Sequence, residues 1–206
     1  MEEELEKYWL ESKNFKIQQK KPEWVSFIKE VYKDGKINNT LEIGCYDGGT
    51  TISLANITKN LITIDQPIKP RFDVYQYNVG DKELFGTELL NTKTNFKYVG
   101  GNSHSEEIYN KTFELLNGEK LDLLFIDGDH TYEGVKSDFY QYKSLVKPNG
   151  IIALHDVHNS DFHEKHGCFV HNFWDEVKDK YEHKVFYDNT QYHEWGGIGL
   201  IINKEI

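Results

Sequence analysis

The chain has 206 residues, and its 24 Lys and Arg against 34 Asp and Glu give a formal net charge of −10 at pH 7. This length favours one domain with a single core, and the negative charge argues against nonspecific binding of nucleic acid or an anionic membrane. No apolar run approaches the length of a membrane span, and the acidic start lacks the pattern of a signal peptide. With only two cysteines, a cytoplasmic protein is expected rather than a disulfide scaffold.

The first 36 residues have the pattern of helices that lie outside a sheet. Apolar residues recur at helical spacing from Trp24 to Val31, directly after Pro22, a residue type that is favoured in a first helical turn. We therefore predict a helical segment, residues 1–36, packed on a main domain of residues 37–206. A segment that closes over a substrate is the alternative.

A glycine-rich turn follows the first predicted strand, Thr40–Ile43. Gly44 and Gly48 would let the backbone approach a ligand closely at the start of the next helix, which Thr50 or Thr51 could cap. The G-x-x-x-G-G spacing differs from the G-x-G-x-x-G of dinucleotide-binding proteins. The turn is typical of a cofactor site but also common after other strands, and its spacing disfavours a nicotinamide oxidoreductase.

Two further predicted strands end in polar residues. The strand Leu61–Ile64 ends at Asp65, which could accept hydrogen bonds from ribose hydroxyls or could only be a turn residue. The strand Phe96–Val99 leads into Asn102 and Ser103. Asn102 could bind an amide-like edge of adenine, whereas Ser103 could equally be the cap of the following helix.

A strand–helix–strand unit carries the clearest chemical signal. Its apolar strands, Leu121–Ile126 and Ile151–Leu154, end at Asp127 and at His155-Asp156. Because a crossover helix makes the two strands parallel and adjacent strands lie about 4.8 Å apart, both acids should leave the sheet side by side. Two such close carboxylates repel each other unless a cation or a shared proton intervenes, and a divalent metal with oxygen ligands would remove the repulsion.

The rest of the sequence adds connecting elements. The helix of this unit, residues 131–145, has Asp129 as its predicted N-cap. Residues 158–168 contain several histidines whose spacing matches no closed zinc site, and they are predicted to form a mobile, solvated loop. The other predicted elements are the helices Glu83–Leu90, 104–116 and 169–180 and the strands His183–Tyr187 and Gly197–Ile202.

This order of strand-end features resembles the class I S-adenosylmethionine-dependent methyltransferases over residues 38–203. Within that superfamily, IDGDHTYEGVKSDF and the later LHDV are similar to small-molecule O-methyltransferases, among them the macrolide-sugar O-methyltransferases, and to the cephalosporin-hydroxylase-like proteins. The resemblance implies an α/β fold, a Rossmann-like three-layer sandwich with a seven-stranded, mostly parallel sheet and an antiparallel last strand.

The resemblance also implies roles for individual residues. Catalysis would depend on Asp127 and on His130, which would be the general base. Mg²⁺ or another divalent cation would be held by Asp127, His155 and Asp156. The cofactor S-adenosyl-L-methionine would be bound by Glu42, Gly44, Tyr46, Gly48, Asp65, Asn102, Ser103 and Asp127.

Two residues depart from the family pattern. His155 stands where metal-dependent relatives have a carboxylate or an amide, and imidazole suits Mn²⁺, Fe²⁺ or Zn²⁺ better than Mg²⁺. Tyr46 replaces the middle glycine of the usual cofactor turn. At the first position the alternatives are that His155 is not a ligand and that no metal is bound, and the second departure concerns the backbone of the turn.

The resulting hypothesis is O-methylation of a small hydroxylated molecule such as a sugar, with a small-molecule methyl acceptor and no nucleic-acid or membrane partner. Such an enzyme must align a hydroxyl with the sulfonium methyl, and a metal can both align the hydroxyl and lower its pKa. The alternatives are a metal-dependent hydroxylase or hydrolase on the same fold and a cofactor-binding protein without activity. Assembly as a homo-oligomer is left open.

Overall fold

The structure is a computed structural model that describes residues 9, 17–35, 37–46, 48–66, 92–188 and 195–204. The strands are β1 (Ile37–Ile43), β2 (Thr58–Asp65), β3 (Asn95–Gly100), β4 (Leu121–Ile126), β5 (Val146–His155), β6 (His183–Phe186) and β7 (Ile198–Ile202). The helices are α1 (Lys21–Tyr32), α2 (Gly49–Ile57), α3 (Glu106–Leu116), α4 (Tyr132–Tyr142), α5 (Asp161–Lys165) and α6 (Val170–Val177). The predicted helix Glu83–Leu90 lies outside the described residues. No described helix is both long and apolar enough to span a bilayer.

The seven strands form one sheet in the order β3-β2-β1-β4-β5-β7-β6. Strands β1 to β5 pair in parallel, and β7 is antiparallel to both of its neighbours. The connections change direction between β1 and β4, where open α/β sheets leave a crevice at the carboxyl ends of the strands. The predicted seven-stranded sheet with an antiparallel last strand is confirmed.

Helices cover both faces of this sheet. On β4, Leu124 and Ile126 belong to a core shared with α3, α4 and α6, whereas Leu123 and Phe125 belong to a second core shared with α1 and α2. All four side chains are buried, which explains why Leu123–Ile126 is apolar at every position rather than at alternate ones. The predicted Rossmann-like three-layer sandwich is therefore confirmed.

Helix α1 is attached to the sheet by aromatic side chains. Trp24 Nε1 donates a hydrogen bond to Ser53 Oγ on α2 at 2.8 Å. The ring centres of Trp24 and Phe27 lie 5.4 Å and 5.7 Å from that of Phe125 on β4. The helix after Pro22 is confirmed, whereas the division of the chain into residues 1–36 and 37–206 stays a prediction.

The start of α2 differs from the sequence prediction. Its N-cap is Gly48, in the left-handed conformation at φ 85°, and neither Thr50 nor Thr51 caps the helix. Thr51 lies inside the helix and donates its hydroxyl hydrogen to Glu42 at 2.6 Å. The threonine prediction was wrong because the glycine turn itself sets the direction of the chain into the helix.

The predicted caps of α3 and α4 are each displaced by two residues. Ser105, not Ser103, caps α3, and Thr131, not Asp129, caps α4, each through a side-chain oxygen that accepts a backbone N–H. Asp129 instead accepts the N–H of Thr131 at 2.9 Å, which forms a turn before the helix. Neighbouring polar residues of this kind can serve equally as caps or as turn formers, so the spacing alone could not decide.

Most of the histidine-rich segment 158–168 is exposed, as predicted for a solvated loop, but part of the segment is helical and one of its histidines is buried. It contains α5, whose N-cap Ser160 accepts the backbone N–H of His163. The His163 side chain is only 2% exposed, and its Nε2 lies 3.1 Å from Asp156 Oδ1. The prediction was wrong for His163, whose polar ring is buried against a charged partner that compensates for the loss of water.

Candidate active site

The ends of β1, β2 and β4 are held together by backbone hydrogen bonds. Gly44 N donates to Ile64 O at 2.8 Å, and Asp127 N donates to Ile43 O at 2.8 Å. Gly44 has φ +87°, and a Cβ built there would lie 2.1 Å from the Asp127 carbonyl oxygen. The glycine turn and the Asp127 segment therefore touch through their backbones, and only glycine fits between them.

An open cavity of about 560 Å³ lies at this crevice, a size that is ordinary for a small-ligand site. Glu42 and Gly48 are not part of its wall, although they were predicted to bind the cofactor. The other predicted cofactor and base residues that line it are Gly44, Tyr46, Asp65, Asn102, Ser103, Asp127 and His130.

Asp65 stabilises the glycine turn from the neighbouring strand. Its Oδ2 accepts the backbone N–H of Cys45 at 2.8 Å and that of Tyr46 at 3.0 Å. Tyr46 adopts a positive φ of 49°, a conformation that costs about 1 kcal/mol for a residue other than glycine. The two hydrogen bonds to Asp65 compensate for that cost, and they explain how the turn keeps its shape without the usual middle glycine.

Glu42 lies beneath the turn, fully buried. Its Oε2 accepts hydroxyl hydrogens from Thr51 at 2.6 Å and from Thr63 at 2.8 Å. Burial is the main cause that raises the pKa of Glu42, to about 7. In this structure Glu42 connects α2 to β1 and β2, and its predicted contact with a cofactor stays a prediction.

The far end of the cavity is formed by the loop after β3. The Ser103 carbonyl oxygen accepts hydrogen bonds from Gln141 Nε2 at 2.9 Å and from Tyr142 OH at 2.8 Å, and both residues lie in the last turn of α4. Asn102 is exposed, and its Oδ1 accepts the backbone N–H of His104 at 3.0 Å. The loop is therefore held in place by α4, and the exposed Asn102 is part of the cavity wall.

A buried carboxyl group, Asp138 on α4, lies under the same loop. It is 0% exposed, and no hydrogen-bond partner for either carboxylate oxygen is found among the described residues. His104 Nε2 lies 3.4 Å from its Oδ1. Burial is the main cause that raises the pKa of Asp138 from 3.8 to about 6, and the charge of Asp129 adds to the effect, whereas interactions with Ser103 and His104 oppose it.

We expect Asp138→Asn to change how stability depends on pH. The unfolded chain releases this proton near pH 4 and the folded chain only near pH 6, so the wild-type free energy of unfolding should fall as pH rises through that window. The free energy of unfolding of the variant should not fall in this window. Relative to the wild type, the variant should therefore be more stable at pH 7 than at pH 4 by about 1–3 kcal/mol. Urea unfolding at both pH values measures the gain, with the exposed Asp179→Asn as control, and parallel pH profiles for wild type and Asp138→Asn would contradict it.

Carboxylates and imidazoles meet at the opposite end of the cavity. Asp127 Oδ1 lies 3.0 Å from His155 Nδ1 and 3.3 Å from His130 Nε2. Asp156 Oδ1 lies 3.4 Å from His155 Nδ1 and 3.1 Å from His163 Nε2, and its Oδ2 lies 3.6 Å from His130 Nδ1. The predicted convergence of Asp127 and Asp156 is therefore present, and the imidazole of His155 contacts both acids.

The acids and histidines of this cluster stabilise each other's charged forms. Burial would raise the pKa of both Asp127 and Asp156, but the charge of His155 and hydrogen bonds from the histidines outweigh burial and lower both values. Burial likewise would lower the pKa of His130, but its hydrogen bond with Asp127 and the charges of both acids raise it. His130 is therefore stabilised as an imidazolium once it carries a proton.

Three residues of the cluster were not identified from the sequence. Gln19 Nε2 donates to Asp127 Oδ2 at 2.6 Å. Glu23, on α1, is 1% exposed, and its Oε1 lies 3.6 Å from His155 Nε2. His163 completes the set through Asp156. The Pro-Glu pair at the start of α1 indicates a capped helix, but no local pattern could connect it to a strand end more than 130 residues away.

The donor set fits a divalent metal ion. Among the described residues, Asp127, His155 and Asp156 offer ligand atoms within 4.8 Å of one another. Two ligands about 2.1 Å from one ion lie roughly 3.0–3.4 Å apart at octahedral or tetrahedral angles, which agrees with the 3.0 Å and 3.4 Å from His155 Nδ1 to the two acids. The 3.0 Å contact is a hydrogen bond between His155 Nδ1 and Asp127 Oδ1 in this structure, so an ion bound there would take the place of the proton that the two groups share.

A second group, His130, Asp156 and Cys168, also meets the distance criterion. Burial raises the pKa of the Cys168 thiol to about 12. A thiol must lose its proton before it binds a metal, so this group is the weaker candidate.

The sheet order, the glycine turn and the cavity at the switch point define the class I S-adenosylmethionine-dependent methyltransferase fold. A family model described as a methyltransferase domain matches residues 41–157, more than half of the 206 residues. The chain belongs to this methyltransferase domain family, and the predicted methyltransferase domain is confirmed.

An uncharacterised protein of Acanthamoeba polyphaga mimivirus is 33% identical over 119 residues, which are 56% of this chain and 50% of that protein. The chain therefore spans about half the length of this relative. The O-methyltransferase TomG of Streptomyces achromogenes, involved in tomaymycin synthesis and solved with S-adenosylmethionine, is 14% identical with a TM-score of 0.61, covering 98% of this chain and 89% of TomG.

A second solved structure is MycE, the methyltransferase of the mycinamycin biosynthetic pathway, in complex with Mg, S-adenosylhomocysteine and mycinamycin VI. It is 13% identical to this chain with a TM-score of 0.56, and the match covers 99% of this chain and 55% of MycE. Likeness at this level of identity establishes the shared fold.

Proposed function

We propose that the chain transfers the methyl group of S-adenosylmethionine to a hydroxyl oxygen of a small molecule such as a sugar, with help from a divalent cation. One observation carries this proposal. The cavity has turn and loop residues suited to a cofactor at one end, and at the other Asp127 joins the cavity wall to the cluster of acids and histidines.

The cofactor side is assigned to the residues that line the cavity. The backbone of Gly44 and Tyr46 would face the methionine and ribose part, and Asp65 Oδ1 would accept ribose hydroxyls because its Oδ2 is already bonded to the turn. Asn102 and Ser103 would lie beside adenine. When bound, S-adenosylmethionine supplies an electrophilic methyl on a positively charged sulfur.

The acceptor side is assigned to the acid and histidine cluster. His130 would take the proton of the acceptor hydroxyl as the oxygen bonds to the methyl carbon and the carbon–sulfur bond breaks. Asp127 and Asp156, 3.3 Å and 3.6 Å from the ring nitrogens, would stabilise the imidazolium that forms. A divalent cation held by Asp127, His155 and Asp156 would polarise the acceptor hydroxyl.

Several findings support a small-molecule acceptor. The net charge of −10 disfavours a polyanion such as RNA, and the two structural relatives described above are enzymes of small-molecule synthesis by their own descriptions. A transferase is favoured over a hydroxylase or hydrolase because the family match covers the strands that form the cofactor cavity. The Mg in the MycE complex supports, for this chain, a cation beside the cofactor.

The proposal is tested by incubating the purified protein with methyl-labelled S-adenosylmethionine and a panel of sugars, glycosides and phenols, with and without divalent cations. We expect label in a product whose new methyl is on oxygen, as identified by NMR. Transfer to nitrogen acceptors alone, or no transfer across the panel by a protein that binds the cofactor, would contradict the proposal.

A further inference from the structure

We propose that Glu23 of helix α1 is a positioning residue that holds His155 as a nitrogen ligand, so that the site prefers a transition-metal ion such as Mn²⁺ over Mg²⁺. This inference rests on the metal-assisted form of the proposed function. The inference adds to that function a residue from outside the sheet, Glu23, and the class of metal ion that the site binds.

The first step concerns the orientation of the His155 ring. Nδ1 lies 3.0 Å from Asp127 Oδ1 and 3.4 Å from Asp156 Oδ1, on the side where these acids converge. Nε2 lies on the opposite side of the ring, 3.6 Å from Glu23 Oε1. Both ring nitrogens therefore face carboxylates, and Nδ1 is the nitrogen that shares a possible ion with the two aspartates.

The second step concerns what holds Glu23 in place. Its Oε1 accepts the backbone N–H of Lys20 at 2.8 Å, and its Oε2 accepts the backbone N–H of Gly197 at 2.8 Å. The adjacent Gly196 has φ +127°, and a Cβ there would lie 3.0 Å from Glu23 Oε2. The carboxylate is thus fixed between the start of α1 and the start of β7, and His155 is the imidazole it faces.

The third step is chemical. Metal-bound histidines commonly direct their second ring nitrogen at a carboxylate, which fixes the ring and makes it a better donor, and loss of that carboxylate typically weakens metal binding 10–100-fold. A nitrogen donor with two carboxylates favours Mn²⁺, Fe²⁺, Co²⁺ or Zn²⁺ over Mg²⁺, which prefers oxygen alone. Glu23 is suited to this role because it is buried and its carboxylate is held by two backbone N–H groups beside His155 Nε2.

Metal binding to the metal-stripped, cofactor-free protein tests the inference without any assay of turnover. Titration calorimetry with Mn²⁺ and with Mg²⁺ gives the ratio of affinities, and pulsed electron paramagnetic resonance of the Mn²⁺-loaded protein reports coupling to a bound ¹⁴N. We expect Mn²⁺ to bind at least about tenfold more tightly than Mg²⁺, with ¹⁴N coupling that His155→Asn removes.

Glu23→Gln separates positioning from simple helix stability. We expect Glu23→Gln to weaken the binding of Mn²⁺ about tenfold or more and to change the affinity for Mg²⁺ much less. The matched control is Glu30→Gln on the same helix, a residue that pairs with Lys33 and Lys184 on the surface and should leave both affinities unchanged.

Three results would overturn the inference. These are Mn²⁺ binding without ¹⁴N coupling, equal affinities for Mn²⁺ and Mg²⁺, and Glu23→Gln behaving like Glu30→Gln. Methyl transfer that persists while neither ion binds would refute the metal site and leave the transferase proposal standing. Failure of S-adenosylhomocysteine to bind would instead contradict the proposed function.

Discussion

Gly44→Ala is expected to abolish cofactor binding and to lower the free energy of unfolding by at least about 3 kcal/mol. The added Cβ would lie 2.1 Å from the carbonyl oxygen and 2.6 Å from the carbonyl carbon of Asp127, and 2.8 Å from the Cα of Gly128. All three atoms belong to backbone, so no side-chain rotation relieves the overlap. The turn and the end of β4 would have to separate, which removes both walls of the cavity together.

Gly118→Ala is the matched control for this prediction. Gly118 also has a positive φ, +83°, but nothing lies within 4 Å of a Cβ built there. The free energy of unfolding of Gly118→Ala should fall only by the conformational cost of about 1 kcal/mol, and the variant should bind S-adenosylhomocysteine like the wild type. Denaturant unfolding and titration calorimetry of the two variants measure the difference, and equal losses in both would show that backbone overlap is not the cause.

Asp156→Asn is expected to reduce methyl transfer about 100-fold or more while the affinity for S-adenosylhomocysteine stays close to that of the wild type. Asp156 has φ +61°, a conformation that asparagine tolerates well, so the exchange removes charge and keeps shape. The lost charge faces three imidazoles, those of His130, His155 and His163. Cofactor binding should persist because Asp156 is not in the cavity wall.

Labelled methyl transfer and calorimetry on the same preparation separate these two effects. Asp175→Asn, an exposed aspartate on α6 that pairs with Lys178, should change neither. An Asp156→Asn variant that transfers methyl groups at the wild-type rate would refute the placement of the acceptor beside this cluster.

The sheet could be predicted because its determinants are local. Each apolar run and the helix after it fix a parallel crossover, and the polar residue that ends each run then falls at the same edge. Asp65, Asp127 and Asp156 all emerge at that edge in the structure, and the first two line the cavity. Glu42, at the same edge by sequence, is instead fully buried because the side chains of α2 cover it.

Most of the contacts that complete the site could not be predicted because they join residues that are far apart in the sequence. Glu23 reaches His155 only because Trp24 and Phe27 fix α1 against β4. The helical periodicity of α1 predicts a buried face, but it does not indicate against which strand that face packs. His163 belongs to a short helix of five residues, too short for apolar periodicity to reveal. Its cap, Ser160 before Asp161, was the available signal.

The central claim, that the cavity between Gly44 and Ser103 binds the methyl donor, is tested most directly by titrating the purified protein with S-adenosylhomocysteine in a calorimeter. We expect one molecule to bind per chain with a dissociation constant in the micromolar range, and binding to be lost in Gly44→Ala but kept in Gly118→Ala. A folded wild-type protein that binds no S-adenosylhomocysteine at millimolar concentration would contradict the claim.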